Sequence, residues 1–232
     1  MRPFWLALGF LTTLPTPHLG EVREGEMRAA SAFYPLAGYV IGGILALVAW
    51  LGRGLPPGLE GALLLAAWLA LTGLLHLDGL LDSADALLAM KPVSERLRIL
   101  GEVHLGSFAF GVGFVLLLLK WQLLSAAPSP WLLLCLPALV RFALLLPMNL
   151  YPPARPEGLG ARAREGRVGL ALLFTLPAIV GFPLEALATL LGMLGLAHWA
   201  AARLGGGLSG DVYGMLVEVG ETLGLLVFLI KP

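Results

Sequence analysis

Apolar residues in this chain come in long unbroken runs, neither alternating as in a half-buried strand nor striped as on a water-facing helix. A bilayer core about 30 Å thick needs roughly 20 apolar residues per helix, and such runs lie near 33–51, 59–77, 106–124, 131–150, 168–182, 184–201 and 212–230. The pattern predicts an all-α, polytopic membrane bundle of six to seven transmembrane helices. The count turns on Phe182 and Pro183, where a proline either separates two helices or kinks one; seven is the preferred number. The first fourteen residues, MRPFWLALGFLTTL, are too short to span and end at Pro15 and Pro17, and no small-residue cleavage site follows closely. They read as an interfacial or re-entrant helix packed against the bundle. No internal repeat is evident, and residues 1–232 read as one integral membrane domain.

Composition points the same way, with 58% apolar residues, 13% charged and a mean hydropathy of +0.88, outside the range of water-soluble domains. Lys plus Arg (15) balance Asp plus Glu (15), so no net charge draws nucleic acid. Cys135, the single cysteine, lies in an apolar run and has no partner for a disulfide or a thiolate metal site. The distribution of basic residues is more telling. With the N-terminus inside, Arg2, Arg23, Arg28, Lys91, Arg96, Arg98, Arg155, Arg162, Arg164, Arg167 and Arg203 all fall on the cytoplasmic side, against Arg53 and Lys231 opposite. That is the bias expected of a multi-pass protein of the cytoplasmic (inner) membrane.

Three polar segments stand out from this background. HLDGLLDSADAL, from His76, carries Asp78, Asp82 and Asp85 at i, i+4 and i+7. On a helix these fall within roughly 60° of one another. Like charges crowded on one face beside a membrane call for a cation, and Mg²⁺, held by one or two carboxylates together with substrate phosphates, answers that need. The alternative is a solvated face or an acid-rich helix start. His76 points about 160° away from Asp78 and reads as a packing residue.

GGGLSGDVYGMLVEVGE, from Gly205, leads through Gly206 and Gly210 into Asp211, where a flexible backbone and a helix start can approach phosphate. Asp211 adds a ligand or base, or else merely caps the helix. Glu218 and Glu221 follow inside the span; they either serve function or pair with Lys120 or Arg141. YPPARPEGLG, from Tyr151, holds Arg155 in a proline-rich frame, and the arginine fork suits phosphate oxygens; the loop also reads as topogenic. Arg141, mid-span, needs an acid partner or a substrate phosphate. The orientation above puts the segments around Asp78, Arg155 and Asp211 on one side, facing the cytoplasm. Carboxylates for Mg²⁺, arginines and a glycine-rich helix start together describe phosphoryl or nucleotidyl transfer.

These segments, with FLTTLPTP from Phe10, FYPLAGYVIG from Phe33 and HLGSF from His104, occur in the order found in the cobalamin synthase family, which the chain resembles nearly end to end. That resemblance implies an adenosylcobinamide-GDP ribazoletransferase. A hydroxyl of α-ribazole, or of its 5′-phosphate, attacks the phosphorus nearest the corrinoid, GMP leaves, and Mg²⁺ is required. It implies Asp78, Asp82, Asp85, Glu102 and Asp211 as metal ligands, Glu102 standing where the family usually has Asp. It implies Asp82, Asp85 and Asp211 as catalytic, and Arg141, Arg155, Gly206, Gly210, His104 and Ser107 as substrate-binding.

Two other classes compete. A CDP-alcohol phosphotransferase of lipid synthesis has an Asp-rich Mg²⁺ site, but its pattern needs an Arg that this chain lacks between Asp78 and Asp85. A proton- or cation-coupled transporter would use Arg141, Glu218 and Glu221 near the midplane, with repeated halves that are not found. Besides its substrates and the lipid bilayer, association with other corrinoid-pathway enzymes or as an oligomer is a hypothesis for co-purification to test.

Overall fold

The structure is a computed structural model that describes residues 1–126, 128–155, 163–164 and 166–230. Arg162, Lys231 and the 156–160 part of the YPPARPEGLG segment lie outside the described residues. Helices α1 (Arg2–Leu11), α2 (Glu26–Ser31), α3 (Tyr34–Leu51), α4 (Pro57–Thr72), α5 (Leu75–Leu88) and α6 (Val93–Ile99) make up the first half. Helices α7 (Ser107–Ser125), α8 (Pro130–Leu150), α9 (Val168–Gly181), α10 (Pro183–Arg203) and α11 (Gly210–Leu229) make up the second. The chain is an all-helical polytopic bundle, with one isolated bridge, Pro153 to Leu208, as its β-type pairing among the described residues.

Helices α8 and α11 are the most buried and form the centre, whereas α7 leaves Phe108, Phe110, Phe114 and Val115 exposed on its outer face. Such a rim suits a hydrocarbon solvent, in which outward apolar groups cost nothing. Five helices, α3, α7, α8, α10 and α11, are each long and apolar enough to cross a membrane, and a sixth span results if α4 and α5 count together. By length and composition, the described residues therefore supply five or six spans rather than seven. The 168–182 run makes only the 14-residue α9, about 21 Å long at 1.5 Å per residue. Pro183 separates two helices, since it occupies the first turn of α10 after Phe182 breaks the ladder.

The larger departure lies at 59–77. The chain turns through 89° between α4 and α5, so the aspartate segment is a helix of its own. Gly73 and Leu74 are both left-handed (φ 58° and 62°). Gly73 N–H donates to Ala70 O at 3.2 Å and Leu74 N–H to Leu69 O at 3.1 Å, the paired bonds of a Schellman stop. Thr13 completes the corner from outside. Its N–H donates to Leu71 O at 2.8 Å and its hydroxyl to Ala70 O at 2.9 Å, so carbonyls freed by the turn are satisfied without water.

Helix α1 packs on α2 and α3, as expected of the N-terminal segment. Arg2 ties it down through Glu26 at 2.6 Å and Glu21 O at 2.9 Å. The Arg2 guanidinium holds the Glu26 carboxyl below the usual carboxylate range through that hydrogen bond.

Candidate active site

Helices α5 and α11 cross where neither has a side chain. A Cβ on Gly79 would lie 2.6 Å from Asp211 O, and one on Gly214 would lie 3.0 Å from His76 O. Only hydrogen fits at this crossing, and the contact sets the carboxylates of α5 beside the start of α11. Asp82, half-buried, faces Asp78, Asp211 and Asp85 and, with opposite sign, Arg155. Asp78 is exposed and Asp211 half-buried.

Arg155 reaches this cluster because two loops are stitched together. Ala154 N–H donates to Leu208 O at 2.8 Å and Leu208 N–H to Pro152 O at 2.9 Å, which joins the Tyr151 loop to the glycine turn before α11. The Arg155 guanidinium then lies 3.9 Å from Asp211 Oδ2 and donates to Leu97 O and Leu100 O at the end of α6. Gly205 and Gly206 turn with positive φ. Gly210 opens α11, and Ser209 Oγ accepts from Val212 N–H at 3.4 Å as its cap. Asp211 is therefore not the capping residue.

The other expected site residues divide. Asp85 shares the face of Asp78 and Asp82, yet its carboxylate is engaged elsewhere. Oδ2 accepts from Gly106 N–H at 2.6 Å and Oδ1 from Ala109 N–H at 3.0 Å, capping α7 from another helix. Glu102 is paired with Arg98 at 2.6 Å. His104 and Ser107 are exposed, on the loop before α7 and at its first residue.

Arg141 is fully buried and bonded to Glu221. Beside it Lys120 Nζ lies 2.8 Å from Glu218 Oε2 and 2.6 Å from Glu221 Oε2, and 4.4 Å over the Trp68 ring. Of its two expected uses Arg141 takes the acid partner, inside a balanced quartet of two cations and two anions, and it is not among the groups that face Asp82. The quartet also accounts for the intramembrane charges that motivated a transporter. His76, 4% exposed, packs toward this quartet as its angle from Asp78 requires.

The carboxylates suit a hard cation of limited kind. Among the described residues no three His, Cys, Asp or Glu side chains converge as a ready-made metal cage. Asp78, Asp82 and Asp211 instead bring carboxylates together beside Arg155, a donor set of the kind that takes Mg²⁺ in company with phosphate oxygens and water. Several residues that make the arrangement escaped the sequence reading: Gly79 and Gly214 at the crossing, Gly106 under Asp85, and Thr13 at the elbow. Glycine inside a predicted helix was the available signal for the first two.

The profile of the family described as Cobalamin-5-phosphate synthase matches residues 3–229. A protein of Deinococcus radiodurans named adenosylcobinamide-GDP ribazoletransferase is 55% identical over 94% of this chain and 82% of its own. Proteins of the same name from Desulfitobacterium hafniense (38% identical; 97% of this chain and 96% of its own) and Pseudomonas entomophila (39%; 99% and 98%) match across nearly their whole length. No solved structure matches the chain. With a profile match over nearly every residue and relatives aligned end to end, the chain belongs to the cobalamin-5-phosphate synthase family.

Proposed function

We propose that this protein transfers the adenosylcobinamide-phosphate moiety of adenosylcobinamide-GDP to α-ribazole or its 5′-phosphate, releasing GMP and giving adenosylcobalamin or its 5′-phosphate, in an Mg²⁺-dependent reaction. The observation that carries this reading is the gathering of Asp78, Asp82, Asp211 and Arg155 at one crossing of two helices, in a chain of this family. A phosphoryl transfer asks for positioning and charge neutralisation more than for covalent chemistry, and those are what this set supplies.

The acceptor hydroxyl oxygen bonds to the phosphorus next to the corrinoid. The bond from that phosphorus to the bridging oxygen breaks, and GMP departs with that oxygen. The hydroxyl proton passes to a carboxylate, for which we assign Asp82, half-buried between Asp78 and Asp211. Asp78 and Asp211 would hold Mg²⁺, which when bound neutralises charge on the pyrophosphate oxygens. Arg155, pinned by the α6 carbonyls and Asp211, presents its guanidinium to the same oxygens. Asp85 supports the site by fixing α7 against α5. The excess of basic residues in these segments supports a reading in which this end of the bundle faces the cytoplasm from the inner membrane.

The test is incubation of the detergent-solubilised protein with adenosylcobinamide-GDP, α-ribazole and Mg²⁺, with and without EDTA, scored by mass spectrometry. Metal-dependent appearance of cobalamin and GMP together is the expected result. A folded protein that yields neither refutes the assignment, and CDP-alcohols are then the next donors to try.

A further inference from the structure

One turn of chain beyond the acids, two arginines grip the same stretch of backbone. Arg203, the last residue of α10, donates through Nε and Nη2 to Leu87 O at 3.0 and 2.6 Å, and through Nη2 to Ala89 O at 3.4 Å. Its guanidinium lies 5.8 Å from the Trp199 ring centroid. Arg96, on α6, donates through Nε to Ala89 O at 3.3 Å and through Nη1 to Arg203 O at 2.8 Å. Both side chains are half-buried, and neither forms an ion pair with a carboxylate among the described residues.

The charges there do not cancel. Each helix end offers about half a negative charge, so the ends of α5 and α10, with that of α6 whose last turn carries Arg96, offset part of the two cations. The pair stays net positive. Arginine has five N–H donors, and Arg96 Nη2 and Arg203 Nη1 make no hydrogen bond to protein among the described residues. A helix end needs one such cation; two adjacent guanidiniums with free donors describe a fork for an anion.

The location says which anion. Residues 87–89 follow Asp82 by five to seven positions, about 8–10 Å along α5. That is a reach suited to a donor whose reacting phosphorus lies at the acids and whose nucleotide extends outward. Helix α6 links the two places: its end holds Arg155 through Leu97 O and Leu100 O, it carries Arg96, and Val93 packs against the Gly205 turn.

We propose that Arg96 and Arg203 form an anion subsite for the phosphate that leaves as GMP, distinct from the position where Arg155 and the acids hold the reacting phosphorus. The inference rests on the transferase reading above and names the part of the donor recognised away from the reacting centre.

The experiment measures GMP binding to the full-length protein in detergent, with guanosine as the comparator and unfolding temperature recorded for every variant. Arg96→Gln and Arg203→Gln should each weaken GMP about tenfold, the worth of one charge-assisted contact, and leave guanosine unchanged. Arg96→Lys and Arg203→Lys, which keep the charge but lose the fork, should fall between. Unchanged GMP affinity in a variant with the wild-type unfolding temperature overturns the proposal. So does an equal loss for GMP and guanosine, because that reports disturbed packing at 87–89. If the Gln variants unfold, the Lys variants decide by the same readouts. Wild-type protein that makes cobalamin and GMP, with variants that bind GMP normally, removes the subsite alone; wild-type protein that makes neither product removes the transferase reading itself.

Discussion

The Asp85 carboxylate and the Gly106 backbone N–H meet at 2.6 Å, joining the helix that carries the acids to the start of α7. The approach depends on glycine, since a Cβ there would stand 2.5 Å from Asp85 Oδ1. Asp85→Asn leaves one acceptor oxygen for two amide donors. We expect a stability loss of about 1 kcal/mol, the usual worth of a cap, and a reduced kcat with an unchanged Mg²⁺ concentration at half-maximal rate. A tenfold rise in that concentration would return Asp85 to the metal.

Asp82→Asn is expected to act differently. It keeps shape and hydrogen-bonding capacity but cannot take the acceptor proton, so the rate should fall by about 10²-fold or more in a protein that still folds in the membrane. Near-wild-type turnover would remove Asp82 from the site. In the wild type, EDTA should abolish turnover and Mg²⁺ should restore it.

The glycine crossing makes a sharper geometric prediction. Gly79→Ala puts a methyl group 2.6 Å from Asp211 O, which drives α5 off α11. A displacement on the order of 1 Å costs about 10²-fold in rate. Gly111→Ala, where nothing lies within 4 Å of the added Cβ, should leave activity intact. Equal rates for the two variants would show that the spacing of α5 and α11 does not matter.

The buried quartet should behave as one electrostatic unit. Glu221→Gln strips a partner from both Lys120 and Arg141, and breaking a buried pair costs about 3–5 kcal/mol. The double change Lys120→Met with Glu218→Leu removes one charge of each sign and leaves Arg141 with Glu221. It should destabilise less than Glu218→Leu alone, as read from unfolding in detergent. The reverse order would mean that the four groups are not coupled.

Much of this was legible in the chain. Sustained apolar runs located α3, α7, α8, α10 and α11 to within a few residues, because length and hydropathy alone decide what crosses a bilayer. The period of 3.6 residues put Asp78, Asp82 and Asp85 on one face and His76 on the other. The elbow was hidden because Gly73 and Leu74 sit inside an apolar run, where hydropathy does not register a helix stop. Asp85 looked like its neighbours because its partners are 21 and 24 residues away, on a helix whose docking the local pattern does not specify. The choice of Arg141 between phosphate and carboxylate depended on α7, α8 and α11 packing together, which no spacing encodes.

The quartet also orders the making of the protein. Lys120 and Arg141 lie on α7 and α8, but both balancing carboxylates, Glu218 and Glu221, arrive on α11, which is synthesised after both. Until then two helices hold cations in hydrocarbon, each at a cost of about 2.5–3.5 kcal/mol on insertion scales. Helix α11 brings that neutralising pair and Asp211 in the same stroke. A chain cut short before it therefore lacks the acid at the crossing and is also left with two uncompensated buried cations. Assembly of the acid cluster and neutralisation of the buried cations therefore become a single event.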